Sequence, residues 1–172
     1  VRVPKANLVY ELNKGWTVGK RLLQHERSSI GGIGGAQKTT SIEEYAKQYV
    51  GLDAHGKVDD AVLRSKILGH RINDAAFALT MKRSVQESAT GTAPGAVSSM
   101  FKYYGTEQNK GKYELLLSIL GTQSLGWSGD TFNDDELNTT RAWLRSKANS
   151  IEGGTSEVQL NILAKRVLAL PE

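Results

Sequence analysis

Residues 59–89 read DDAVLRSKILGHRINDAAFALTMKRSVQESA, the longest stretch with a helical pattern. Leu68, Ile72, Ala75 and Leu79 step by four, three and four, which places them on one helical face. Arg64, Arg71, Asp74 and Lys82 lie largely off that face. A helix this long with one apolar stripe has to bury it against other helices or sheets, and the flanking sequence offers helices.

Toward the C-terminus, Thr90-Gly91-Thr92-Ala93-Pro94 breaks the pattern, with Pro94 near the first position of a new helix over 95–120. Tyr113, Leu116, Leu117 and Leu120 fall at i, i+3, i+4 and i+7 within it. After a glycine-rich loop over 121–129, Asn133 or Asp134 can cap a helix over 135–150. Its expected buried side is Leu137, Leu144, Ala148 and Ile151. Gly153-Gly154 breaks the chain again. Thr155 then caps a last helix reaching Ala169, with Leu160, Leu163, Ala164 and Val167 inward and Pro171 beyond its end.

Toward the N-terminus, Thr40 or Ser41 opens a short helix to Val50, followed by a loop over 51–56. Gly31, Gly32, Gly34 and Gly35 end a helix over 16–30, because such a cluster costs too much backbone entropy inside one. Trp16, Gly19, Leu23 and Glu26 share a face of that helix, and Asn13-Lys14-Gly15 forms the turn before it. Val1 and Val3 alternate like the tail of a strand that Pro4 ends, so the start reads as a cut through a longer protein. The expected fold is all-α: an antiparallel, up-down four-helix bundle with a short inserted helix and a C-terminal helix.

Composition narrows the function classes. With 172 residues and 39% hydrophobic residues the chain can bury one sizeable core. A net charge of +4, from 22 basic and 18 acidic residues, is a mild excess. The basic residues are scattered, with no run resembling a nucleic-acid arm. The absence of cysteine excludes disulfides, thiolate metal sites and a cysteine nucleophile, and fits a reducing, cytoplasmic compartment. His25, His55 and His70 show no ligand-like spacing, and no apolar run approaches a membrane span.

Three places could carry chemistry. Gly153-Gly154-Thr155-Ser156-Glu157 enters a helix whose free N–H groups and positive dipole end suit an anion or electron-rich ring; the alternative is a loop with a good N-cap. Glu26, beside Arg27 on a core-like face, is either a partly desolvated base or half of an ion pair. Glu152, beside the double glycine, is either a loop base or a surface residue.

Longer motifs run through these places. Ser150-Ile151-Glu152-Gly153-Gly154-Thr155-Ser156-Glu157-Val158-Gln159, then Asn161-Ile162 and Ala164-Lys165-Arg166-Val167-Leu168, closely resembles the C-terminal signature of acyl-CoA dehydrogenases. Arg2-Val3-Pro4, Asn7-Leu8, Asn13-Lys14-Gly15-Trp16 and Leu22-Leu23-Gln24-His25-Glu26-Arg27 resemble that family's passage from its middle β-domain into its helical domain. The resemblance covers essentially the whole chain. It implies that residues 1–172 form the C-terminal domain, that an N-terminal helical domain and the β-domain belong before Val1, and that the domain alone is inactive.

The family's reaction removes hydrogens from the α and β carbons of an acyl-CoA, with FAD as hydride acceptor and an electron-transfer flavoprotein or similar acceptor as the next partner. Homodimers or homotetramers are usual. Many members carry the base two residues before the signature threonine, which here is Gly153. Others carry it on the first long helix before an arginine, which here is Glu26, so the resemblance assigns Glu26 as base with Glu152 as alternative. Gly154, Thr155, Ser156 and Glu157 match flavin contacts. The Gly153 N–H matches a donor to the thioester carbonyl, and Gln24 and Arg27 match positions near the CoA moiety.

Two family motifs are missing. Arg-x-x-Phe-Gly after the first helix gives way to residues 31–57, and Gln-x-x-Gly-Gly appears as Ser118-Ile119-Leu120-Gly121-Thr122. These departures are compatible with a divergent dehydrogenase or with a non-catalytic subunit of a related assembly.

Overall fold

The computed structural model describes residues 1–30, 41–91 and 97–171, and of residues 24–30 the backbone only. The fold is all-helical: α1 (Gly15–Ile30), α2 (Ile42–Tyr49), α3 (Ala61–Ala89), α4 (Val97–Leu120), α5 (Asp134–Ser146) and α6 (Ser156–Arg166), with short 3₁₀ turns at Lys5–Asn7, Gly121–Leu125 and Lys147–Ser150. Among the described residues there is no strand, only an isolated bridge between Leu52 and Val58. Val1–Val3, expected to be the tail of a strand, pair with no strand among the described residues, and the 3₁₀ turn begins directly after Pro4. No helix among the described residues is long and apolar enough to cross a membrane.

Helix starts follow local chemistry. Ser41 caps α2 by accepting the Glu44 N–H while the Glu44 carboxylate accepts the Ser41 N–H. Asn133 and Glu136 make the same reciprocal pair at α5, and Thr155 accepts the Val158 N–H at α6. The glycine cluster over 31–35 and Pro94 lie outside the described residues.

α4 is the hub, with α1, α2, α3, α5 and α6 all packed on it. Its C-terminal half supplies Leu115, Leu116, Ile119 and Leu120 to the apolar core. Opposite them sit Leu63 and Ile67 from α3 and, less expectedly, Ile42, Tyr45 and Ala46 from the short α2. The inserted helix is thus a core element. It also grips α5: Tyr49 donates to Glu136 Oε1 (2.8 Å), and the Tyr45 and Thr139 hydroxyls lie 3.2 Å apart.

The stripe of α3 expected to be inward is outward. Leu68, Ile72 and Leu79 are 60–67% exposed, and Ala75 is exposed too. The inward face is one residue round the helix, through Leu63, Ile67, His70, Phe77 and Ser84. Phe77 lies 5.8 Å edge-on to Phe101 and 5.4 Å from the Tyr104 ring. Gly105 makes room there, since a Cβ would stand 3.1 Å from the Phe77 ring and the ring would have to give way. Similar corrections apply to Leu144 and Ile151, to Leu160 of α6, and to Val167, which lies just past the end of α6 at Arg166, all exposed.

Candidate functional site

The chain reverses between α5 and α6 through two successive left-handed residues, Gly153 (φ +65°) and Gly154 (φ +92°). Only glycine holds such a pair at low cost. Gln159, with no exposed surface, fixes the turn from below. Its Nε2 donates to the carbonyls of Gly153 (3.1 Å) and Gly154 (3.4 Å). A Cβ at Gly154 would stand 2.6 Å from that nitrogen, so the turn and Gln159 fit only with glycine there.

The turn delivers the chain into α6, where Thr155 forms the cap. The Glu157 carboxyl is held below its ordinary value, first by its own backbone N–H and then by the Thr155 hydroxyl. Gly153, Gly154, Thr155 and Ser156 are half-buried, while Glu157 is exposed. The Ser156 hydroxyl is buried and makes no hydrogen bond. A glycine turn, a helix start and an unpaired hydroxyl together form a wall that suits an electron-rich or phosphate-bearing group.

Glu152 is turned to other work. Arg145 donates to both of its oxygens (2.8 and 3.3 Å) and Asn149 Nδ2 donates to Oε1. The Arg145 hydrogen bonds hold the carboxyl below its ordinary value, with Asn149 adding to the effect and burial opposing it.

Asn149 in turn accepts from Asn109 Nδ2 (3.0 Å), Thr106 Oγ1 donates to its carbonyl (3.4 Å), and Lys110 Nζ donates to Ser150 (2.7 Å). A polar seam on α4 thus underlies the segment leading into the double glycine. The sequence reading missed this seam, together with Gln159 and Arg145. Its signal is the spacing of Ser99, Lys102, Thr106 and Asn109 along one face of α4.

The backbone of Gln24, Glu26 and Arg27 lies in the last half of α1, which packs on α4 as α6 does. Their side chains lie outside the described residues. Of the face that Glu26 was expected to share, Trp16 and Leu23 are exposed and Gly19 is half-buried. Ser118–Leu120 closes α4, and Gly121 (φ +56°) turns the chain into the 3₁₀ segment. No metal-holding cluster of His, Asp or Glu occurs among the described residues.

Residues 13–168 match the family model described as the acyl-CoA dehydrogenase C-terminal domain, so the chain belongs to that family. It is 28% identical over 172 residues to acyl-CoA dehydrogenase FadE34 of Mycobacterium tuberculosis, covering 99% of this chain and 22% of that protein. It is 28% identical over 188 residues to FadE26 of the same organism (99% and 44%). It is 26% identical over 160 residues to IpdE1 of Mycolicibacterium smegmatis (91% and 37%). The chain therefore spans less than half the length of these curated relatives.

Among solved structures, a variant of the Tcur3481-Tcur3483 steroid ACAD superposes with a TM-score of 0.79 at 22% identity, covering 100% of this chain and 44% of that one. The ChsE4-ChsE5 complex from Mycobacterium tuberculosis gives 0.70 at 25% identity (99% and 44%). A glutaryl-coenzyme A dehydrogenase bound to glutaryl-CoA gives 0.73 at 20% identity (98% and 42%).

Proposed function

We propose that this chain is the C-terminal domain of an FAD-dependent acyl-CoA dehydrogenase that desaturates the α,β bond of an acyl-CoA, with Glu26 as proton acceptor. The observation that carries this reading is the state of Glu152. A base two residues before Thr155 is impossible at Gly153, and the neighbouring carboxylate is tied to Arg145 and Asn149. A carboxylate so stabilised in its charged form is a weak base. Glu26 is the other position that the family resemblance offers, on a helix that leans on the same hub as α6.

Gly154, Thr155, Ser156 and Glu157 are the residues that would hold FAD. They fit it through the open glycine turn, the capped helix start and the unpaired Ser156 hydroxyl. When bound, FAD supplies the acceptor for the hydride leaving the β carbon. The Gly153 N–H would donate to the thioester carbonyl and so favour loss of the α proton to Glu26. Gln24 and Arg27 would lie along the CoA moiety. The whole protein would pass electrons to an electron-transfer flavoprotein or similar acceptor and work as a homodimer or homotetramer.

In full-length protein, Glu26→Gln should slow flavin reduction by an acyl-CoA about 10²–10⁴-fold, the usual worth of a general base, while FAD stays bound. Glu152→Gln should leave that rate within a few-fold. The reverse result would move the base to the loop.

A second reading is a non-catalytic subunit of a dehydrogenase-like assembly. It is favoured by Ser118-Ile119-Leu120-Gly121-Thr122 standing where the family has Gln-x-x-Gly-Gly, and by a relative whose name pairs ChsE4 with ChsE5. Full-length protein that purifies colourless and assembles with a paralogue would support it.

A further inference from the structure

A line of hydrogen bonds runs from α4 to the residue before the double glycine. Asn109 Nδ2 donates to Asn149 Oδ1 (3.0 Å), and Asn149 Nδ2 donates to Glu152 Oε1. Arg145 closes the line from α5, on both Glu152 oxygens. The direction of the line is fixed from that end. Arg145 holds the Glu152 carboxyl in its charged form, and a carboxylate only accepts. Asn149 must therefore turn its amide N–H toward Glu152 and its amide oxygen toward Asn109, which must present an N–H in return. The two ends of an amide are nearly alike in shape, so the network decides which way each one faces. One charge thus sets two amides.

What the line holds is the peptide between Glu152 and Gly153. The Ile151 and Glu152 N–H groups both donate to the Ala148 carbonyl (2.9 Å each), which closes residues 148–152 into a turn that spans Asn149. Lys110 Nζ ties the adjoining Ser150 to α4 at 2.7 Å. Past Glu152 the chain enters left-handed backbone at Gly153 (φ +65°), which has no side chain to anchor it. The direction of the Gly153 N–H is then set by how Glu152 is held.

We propose that Asn149, oriented by Asn109, is the positioning residue that aims the Gly153 N–H, through Glu152, at the thioester carbonyl of the substrate. The link to the thioester rests on the function proposed above; the link to the turn does not. A glutamine at position 152 is tolerated by the line, because both asparagine amides can turn round and pass their hydrogen bonds the other way. An aspartate at position 109 or 149 is not tolerated, because it sets acceptor against acceptor at one joint of the line while Glu152 stays charged.

The test introduces Asn109→Asp and Asn149→Asp into full-length protein, each alone and together with Glu152→Gln. One readout is amide hydrogen exchange at Ile151 and Glu152. The other is stopped-flow flavin reduction by whichever of a panel of straight-chain, branched and ring-bearing acyl-CoAs reduces wild type fastest. Each aspartate alone should speed exchange by about tenfold or more, the size of one lost charge-assisted hydrogen bond. Each should also cut the limiting reduction rate by about tenfold or more while the dissociation constant of the thioester stays within about threefold, since the donor acts on charge that develops during the reaction. Asn109 reaches Glu152 only through Asn149, yet adding Glu152→Gln should recover most of both losses in either variant. Glu107→Gln removes an equal charge outside the line and should recover neither. If one aspartate variant does not fold, the other decides, and aspartate variants that fold only with Glu152→Gln would support the line as well. Wild-type exchange in both aspartate variants would overturn the proposal, as would doubles no better than the single variants, or equal recovery by Glu107→Gln. Faster exchange with an unchanged reduction rate would overturn the part given to the Gly153 N–H. If no thioester reduces the wild-type flavin, the function proposed above fails, and exchange alone decides whether Asn149 sets the turn.

Discussion

Arg145 closes a two-pronged ion pair on Glu152, at 2.8 and 3.3 Å, across the junction between α5 and the double-glycine turn. The pair binds the last turn of α5 to the residue that precedes Gly153. It also keeps the carboxyl that precedes the double glycine in its charged form, with hydrogen bonds from Arg145 and Asn149.

That pair has a pH signature. The Glu152 carboxyl is held below its ordinary value of 4.5, chiefly by Arg145. A carboxyl with a lowered folded-state pKa contributes stability above its unfolded value and loses it as pH falls through the folded value. Glu152→Gln should therefore lower the melting temperature near neutral pH, and the difference from wild type should vanish below the ordinary glutamate range. The effect should be at most about 1 kcal/mol, because Arg145 is well exposed and solvent screens the pair. Thermal melts of both proteins across acid to neutral pH check this.

The turn makes a sharper demand. Gly154→Ala places a Cβ at φ +92° and 2.6 Å from Gln159 Nε2. It should destabilise the fold by roughly 1–3 kcal/mol, the usual cost of a non-glycine residue in such a region. Gln159→Leu keeps most of the volume and leaves two carbonyls without their donor. A loss of about 1–3 kcal/mol is expected from that as well. Because the two substitutions share one contact, the double variant should lose less than their sum, and denaturant titrations of the three variants measure the difference.

Burial separates two sets of leucines that look alike in sequence. Leu116 is 2% exposed, and Leu116→Ala should cost about 2–5 kcal/mol in chemical unfolding. Leu68 and Leu79 are 62% and 67% exposed. Changing both to serine should alter unfolding by no more than about 0.5 kcal/mol per site.

The segments of helix were legible in the sequence because what starts and stops them is local. Ser41, Asn133 and Thr155 cap because each side chain reaches an N–H three residues on. The double glycine was equally legible as a break, since left-handed backbone is a property of the residue itself. Family membership was readable for a related reason: its signature is a run of neighbours in the chain.

Which faces meet was decided only in three dimensions. On α3 two apolar stripes lie one residue apart, and periodicity cannot choose between Ile67 and Leu68. The partner α4 chooses, by offering Phe101, Tyr104 and a gap at Gly105 to Phe77. The short α2 reads as an insert until Ile42, Tyr45 and Ala46 fill the core. Nothing local in the sequence says that Lys102 and Gln159 are buried; that follows from the packing of α4 and α6. A side chain's burial, charge state and partners depend on residues far away in the chain, and only the packed fold brings those within bonding distance.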